Sequence, residues 1–254
     1  MEEIKKMMHV GTSKGQISKY VFLPSSPERA EKIASYLDNS EEIAYNREYH
    51  SFKGYLDGVE VTVCSTGMGG PSLTIAIEEL AECGAETMIR VGTCNSTSEK
   101  LDRNEVLIPN GAVRMETVSN HFSPVEYPAV PDSDVLDALA EAAEKVGVEN
   151  KVGIVITRAN FHTMFQKDKR PWGSEIRARW NAYEAGGALG SDVTTSPLLV
   201  AASNLGLRAG SVLGCSSAYG CYSDDYDEWD PLCEENAIKV AIEAMRIIIA
   251  EDNR

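Results

Sequence analysis

Short apolar runs alternate with amphipathic stretches from one end of the chain to the other. Residues 20–23, 59–64, 87–91, 105–108, 153–157 and 209–214 read as strands. Several are apolar nearly throughout, as in a sheet covered on both faces. A repeat of apolar positions every three to four residues predicts helices over 72–83, 134–146, 197–205 and 231–249. Strand and helix alternate without a linker, an internal repeat or a low-complexity tract, which predicts one α/β domain over residues 1–254.

The interruptions carry the candidate chemistry. Residues 94–104, 115–131, 158–173 and 216–231 are long, polar or aromatic, and punctuated by Gly and Pro. Loops of that length in a compact domain are usually functional, and in α/β sheets ligands bind beyond the carboxyl ends of strands. The first strand runs into VFLPSSPERA, where Pro27 suits the first turn of a helix and Ser26 its N-cap. Arg29 sits just inside that helix. The turn fits an anion site at a helix N-terminus or simply a well-capped helix.

Three further stretches stand open in the same way. STGMGGPS (65–72) places Gly67, Gly69 and Gly70 between a strand and a helix, either as a loop that lets a ligand touch bare backbone or as a tight structural turn. It matches neither a Rossmann fingerprint nor a P-loop. Arg90 lies inside an apolar strand, where it must be half of an ion pair or an anion ligand. Arg47, on an expected edge strand, reads alone as a solvated surface residue. The acidic run 223–230 lacks the spacing and glycine of a calcium loop and reads as solvated.

Composition narrows the classes. Hydrophobic residues make up 43% and charged residues 25% of 254 residues, ordinary for a globular protein. A net charge of −15 opposes nonspecific nucleic-acid binding, so an anionic ligand would need arginines gathered locally. The six cysteines show no CxxC spacing and several sit in apolar runs, which predicts buried free thiols. The scattered histidines predict no metal site. No secretory signal or membrane span is read, and a cytoplasmic location is expected.

Taken together, HVG at 9–11, PxRAxxIA at 27–34, NREY at 46–49, STGMGGPS at 65–72, RVGT at 90–93, HFSPVEYPAV at 121–130 and GLRAG at 206–210 resemble the nucleoside phosphorylases. That family includes bacterial uridine phosphorylase and hexameric purine nucleoside phosphorylase, and HFSPVEYPAV points to the uridine phosphorylase branch. The resemblance implies a three-layer α/β/α domain with a central mixed, partly barrel-like sheet. It implies cleavage of a nucleoside's N-glycosidic bond by inorganic phosphate, the co-substrate, without a cofactor. Ser25, Arg29, Arg90 and Thr93 would bind phosphate, with Arg47 entering from a neighbouring subunit and Arg90 catalytic. His9 (also across the boundary), Met68, Val193 and Thr194 would line the ribose, and Cys94, Asn95, Phe161 and Gln166 the base. It also implies a homodimer or a hexamer of three dimers, with a potassium ion at the dimer interface near Glu48 and Ser72.

The chain departs from the family's pattern inside the site. The phosphate-loop GDPxR becomes Ser25-Ser26-Pro27-Glu28-Arg29, and Asn95 replaces a glycine. Counted without gaps, the family's Glu-Met-Glu becomes Asp192-Val193-Thr194, so the carboxylate that holds the ribose hydroxyls is gone. A gapped alternative would supply Glu184. Ser217 stands where purine enzymes carry a proton-donating aspartate, which favours pyrimidine substrates. Three readings result: a phosphorylase, a hydrolytic nucleosidase, and a noncatalytic binding paralogue. Retention of three arginines and His9 favours the first.

Overall fold

The computed structural model describes residues 6–162, 169–220 and 230–254. Nine strands form one sheet: β1 Tyr20–Pro24, β2 Asp38–Asn46, β3 Tyr49–Leu56, β4 Val59–Cys64, β5 Thr87–Ser96, β6 Val106–Met115, β7 Asn150–Arg158, β8 Gly190–Asp192 and β9 Arg208–Ser217. Their order is β2-β3-β4-β1-β5-β8-β7-β6-β9, and β9 pairs again with β5. Strands β5, β8, β7, β6 and β9 therefore close into a five-stranded barrel, from which the remaining four extend as an open wing. Six α-helices are described: α1 Pro27–Ala34, α2 Gly70–Cys83, α3 Ser133–Lys145, α4 Gly173–Ala185, α5 Thr195–Asn204 and α6 Pro231–Asp252.

Strand β1 explains the layering. Tyr20 and Phe22 point into a core shared with α1, α3 and α6, whereas Val21 and Leu23 point into a second core with α2 and α5. The near-continuous apolar run is thus a strand buried on both faces. A third cluster, including Cys94, Leu107, Val155, Leu213 and Cys215, is contributed by four of the barrel strands. Gly214 is required where the first turn of α6 presses on β9, because a Cβ there would overlap the Cys233 carbonyl. This is the three-layer, partly barrel-like α/β architecture that the family resemblance implies.

Some boundaries differ for physical reasons. The apolar signal ends at Val91, yet β5 continues to Ser96, because β9 and β8 supply partners to its polar end. That shortens the expected 94–104 loop. The edge strand expected around Arg47 is present as β2, but it lies earlier, over the acidic sequence DNSEEIAYN, exposed and with two register irregularities. Arg47 is not on that edge strand but in the two-residue turn between β2 and β3, at φ +58. Helix α4 was missed because it buries only Gly173 and Trp180 and presents no apolar stripe. Within the expected loop 115–131, a turn of 3-10 helix covers Val118–His121. Arg114 fastens this loop, donating to Ser119 Oγ, Asn120 Oδ1 and the carbonyls of Ser123, Pro124 and Tyr127.

Candidate functional site

The candidate site lies at the carboxyl ends of β1 and β5. Pro24 ends β1, and α1 begins with Ser26 as N-cap, its Oγ accepting from the Arg29 N–H at 3.3 Å. This cap fixes the helix register that turns the Arg29 side chain inward, where it is 7% exposed. Arg29 Nη1 donates to Ser25 Oγ and to the Val91 carbonyl, each at 3.3 Å. Its Nη2 pairs with Glu234 Oε2 at 2.7 Å, in the first turn of α6. Nε is buried without a partner.

Arg90, 4% exposed, comes from β5 directly beside it. Nη1 donates to the Leu23 carbonyl at 2.8 Å and to Val91 O at 3.4 Å, while Nε donates to Thr194 Oγ1 at 3.0 Å. Among the described residues no hydrogen bond uses Nη2. Burial pulls the guanidinium down to about 10, the nearby charge of Arg29 adds to that, and Asp192 opposes it. Arg90 therefore stays charged at neutral pH. Two buried cations side by side repel, an arrangement that an anion bound between them would relieve. Thr93 lies three residues on, half-buried at the same strand end.

The glycine loop that follows β4 is tied to the end of β1, where the Thr66 N–H donates to the Pro24 carbonyl at 2.9 Å. Gly67 and Gly69 adopt φ +70 and +93, the left-handed region that favours glycine. A Cβ on Gly67 would stand 2.8 Å from Glu48 Cγ and 3.0 Å from Ser72 Oγ, so those two side chains converge around it. Among the described residues no three His, Cys, Asp or Glu side chains could hold a metal ion together. Met68 is 78% exposed, and Arg47 is exposed with no hydrogen bond or ion pair among the described residues.

His9 is held by Glu79 of α2. Its Nδ1 lies 2.7 Å from Glu79 Oε1, and the N–H groups of His9 and Val10 donate to the same carboxylate. Burial pushes that carboxyl upward, but the hydrogen bonds from Val10 and His9 outweigh it and leave it below the usual range. An ionised carboxylate only accepts, so Nδ1 carries a proton and Nε2 is the ring nitrogen left for a ligand.

The rest of the expected set is only partly assembled. Asn95 donates to Ser217 Oγ at 2.9 Å across β5 and β9. Cys94 is 2% exposed in the barrel cluster and lies opposite Cys215. Val193 is half-buried. Phe161 is half-buried beside Arg158, whose guanidinium lies 5.1 Å from its ring while Nη1 donates to the Phe161 carbonyl at 2.7 Å. Gln166 and Cys221 lie outside the described residues, and Cys64, Cys83, Cys94, Cys215 and Cys233 are buried free thiols as expected. Glu184, the gapped alternative, accepts from Trp180 Nε1 within α4, while Thr194 reaches Arg90. Three carboxylates anchor site residues without a motif that names them: Glu79 holds His9, Asp192 holds Thr194 and Glu234 holds Arg29. Asp192 stands two residues before the Thr194 N-cap of α5, where a short carboxylate can accept from the first N–H groups of the helix.

Residues 19–249 match the family model described as the phosphorylase superfamily. The chain is 37% identical to the uridine phosphorylase of Treponema pallidum (strain Nichols), over 96% of this chain and 95% of that protein. It is 36% identical to the uridine phosphorylase of Thermococcus kodakarensis, over 96% and 87%. A guanosine phosphorylase of Halorubrum lacusprofundi is 33% identical over 87% and 89%. No helix of the described residues is long and apolar enough to cross a membrane. With a likeness that spans nearly the whole chain and a fold that agrees with it, this protein belongs to the phosphorylase superfamily.

Proposed function

We propose that this chain is a pentosyltransferase that cleaves the N-glycosidic bond of a nucleoside with inorganic phosphate. A phosphate oxygen forms a bond to the anomeric carbon as the carbon–nitrogen bond breaks. The bonding electrons leave with the base, and the products are the free base and a pentose 1-phosphate. The observation that carries the reading is the buried pair Arg29 and Arg90, meeting at Val91 O with Arg90 Nη2 unused among the described residues. Two planar guanidiniums at one strand end suit a tetrahedral dianion. Holding the nucleophile while positive charge grows on the sugar is catalysis by positioning and preorganised charge.

Arg90 is the principal catalytic group in this reading, with Arg29, Ser25 and Thr93 completing the phosphate site. Arg47, exposed in its turn, enters the site of a second copy, and His9 Nε2 meets the 5′-hydroxyl there. A homodimer, alone or as a unit of a hexamer, is the consequence. Glu48 and Ser72 fit a potassium ion at its interface, and the enzyme acts in the cytoplasm. Met68, Val193 and Thr194 border the sugar, and Cys94, Asn95, Phe161 and Gln166 the base.

Pyrimidine nucleosides are the favoured substrates. Ser217, hydrogen-bonded to Asn95, offers no carboxyl to protonate a purine leaving group, and the Treponema and Thermococcus relatives are uridine phosphorylases. The test is incubation with uridine, thymidine, deoxyuridine and inosine, each with and without phosphate. Release of uracil or thymine only with phosphate is expected. Release without phosphate would instead establish a nucleosidase, and binding without cleavage a noncatalytic paralogue.

A further inference from the structure

Asp192 sits at the end of β8, 5% exposed, and its carboxylate is fully engaged. Oδ1 accepts from Thr157 Oγ1 at 2.8 Å. Oδ2 accepts from the Thr194 N–H and Thr194 Oγ1, both at 3.1 Å, from the Thr195 N–H at 2.8 Å and from Thr195 Oγ1 at 2.7 Å. The backbone bonds cap α5. The bond to Thr194 Oγ1 has a different consequence.

A threonine hydroxyl has one hydrogen. Because that hydrogen is directed at Asp192, a lone pair of Oγ1 must face the other way, and Arg90 Nε donates to it at 3.0 Å. Asp192 thereby fixes the rotation of the hydroxyl, and the hydroxyl on Nε, together with the Leu23 carbonyl on Nη1, fixes the roll of the guanidinium. Arg90 has no carboxylate of its own among the described residues, unlike Arg29 with Glu234. A carboxylate in direct contact tends to take both forks of an arginine. The interposed hydroxyl brings negative charge near while leaving Nη2 unoccupied. Gly92 keeps that nitrogen uncovered, since a Cβ there would lie 3.5 Å from Nη2 and 2.8 Å from Leu213 Cδ2.

We propose that Asp192 is a positioning residue for phosphate binding: acting through the Thr194 hydroxyl, it aims Arg90 Nη2 at the anion and balances the charge of the guanidinium. The proposal rests on the reading of Arg90 as a phosphate ligand. Thr194 is then a relay and not a mere loss of the family's glutamate.

The test compares Arg90→Lys, Asp192→Asn, Thr194→Val, Thr194→Ser and the Asp192→Asn/Thr194→Val double variant, reading KM for phosphate, KM for nucleoside and Tm. Arg90→Lys is expected to raise the phosphate KM, which checks the underlying reading. Asp192→Asn and Thr194→Val should each raise it about tenfold, the scale of one charge-assisted hydrogen bond. The double variant should be no worse than the worse single, and Thr194→Ser, which keeps the hydroxyl, should recover most of the phosphate KM lost in Thr194→Val. If the asparagine variant fails to fold, Thr194→Val, which retains the carboxylate and its backbone bonds, carries the test with its serine rescue. An effect of Arg90→Lys with none from Thr194→Val would overturn this proposal alone, as would effects that multiply in the double variant. No change with Arg90→Lys would overturn the phosphate reading and this proposal with it.

Discussion

The guanidiniums of Arg29 and Arg90 donate to one and the same carbonyl oxygen, that of Val91, at 3.3 and 3.4 Å. They arrive from different elements, a helix start and a mid-strand position, and meet only because β1 and β5 are parallel neighbours with Leu23 opposite Arg90. Within the chain the pair is offset by two carboxylates, Glu234 directly and Asp192 at one remove. The net positive charge that the pair offers a dianion is therefore small, and in the proposed site Arg47 of a second copy adds to it.

Glu234 should compete with phosphate for Arg29. Its side chain is 18% exposed and its carboxylate occupies Arg29 Nη2. Glu234→Gln keeps an acceptor for Nη2 but removes that charge, so phosphate should bind several-fold tighter by calorimetry. Weaker binding would mean that the carboxylate orients Arg29 and does not oppose the anion. Glu234→Ala should instead cost about 3 kcal/mol of stability, because it leaves a buried guanidinium uncompensated.

Ser25 accepts from Arg29 Nη1 and adds a side chain where the family carries glycine. Ser25→Gly frees that N–H and opens the backbone to the anion, so phosphate-dependent turnover should rise. An unchanged or lower rate would place the serine in a reshaped site.

Arg47 supplies the test of a shared site. Arg47→Ala should lower activity strongly while leaving Tm unchanged, since the side chain makes no hydrogen bond or ion pair among the described residues. Mixing that variant with Arg90→Gln during refolding creates hybrid dimers with one intact site, and about a quarter of wild-type activity should return. A mixture no more active than its components would exclude a contribution across subunits.

Much of this was legible beforehand. The strands buried on both faces announced themselves as apolar runs, and the capped start of α1 was readable from Ser26 and Pro27. The edge strand near Arg47 was readable but its turn was not, because acidic residues 38–42 leave no alternation to mark where β2 begins and ends. Arg29, Arg47 and Arg90 could be named from motifs, but each alone had an ordinary structural reading. What linear sequence cannot carry is their pairing: Glu234 lies 205 residues from Arg29, and Thr194 lies 104 from Arg90.

Away from the site, the C-terminal helix is fastened by Asp252. Arg208 donates to both its oxygens at 2.9 and 2.5 Å, and Tyr20 Oη donates at 2.8 Å. The Arg208 hydrogen bonds hold its carboxyl well below the usual carboxylate range; burial opposes them, and Tyr20 and Lys19 reinforce them. A depressed folded pKa contributes stability above the unfolded value of about 3.9, and loses it as pH falls toward the folded one. Asp252→Asn should therefore cost about 1–2 kcal/mol in urea unfolding at pH 7. The gap from wild type should narrow below about pH 4. A gap that stays constant to pH 3 would contradict the assignment.

The most direct measurement of the central claim is phosphorus NMR of the reaction with uridine and inorganic phosphate. One equivalent of a pentose 1-phosphate should appear for each uracil released, with an equal loss of inorganic phosphate. Uracil released while the phosphate signal stays constant, or no uracil at all, would contradict it.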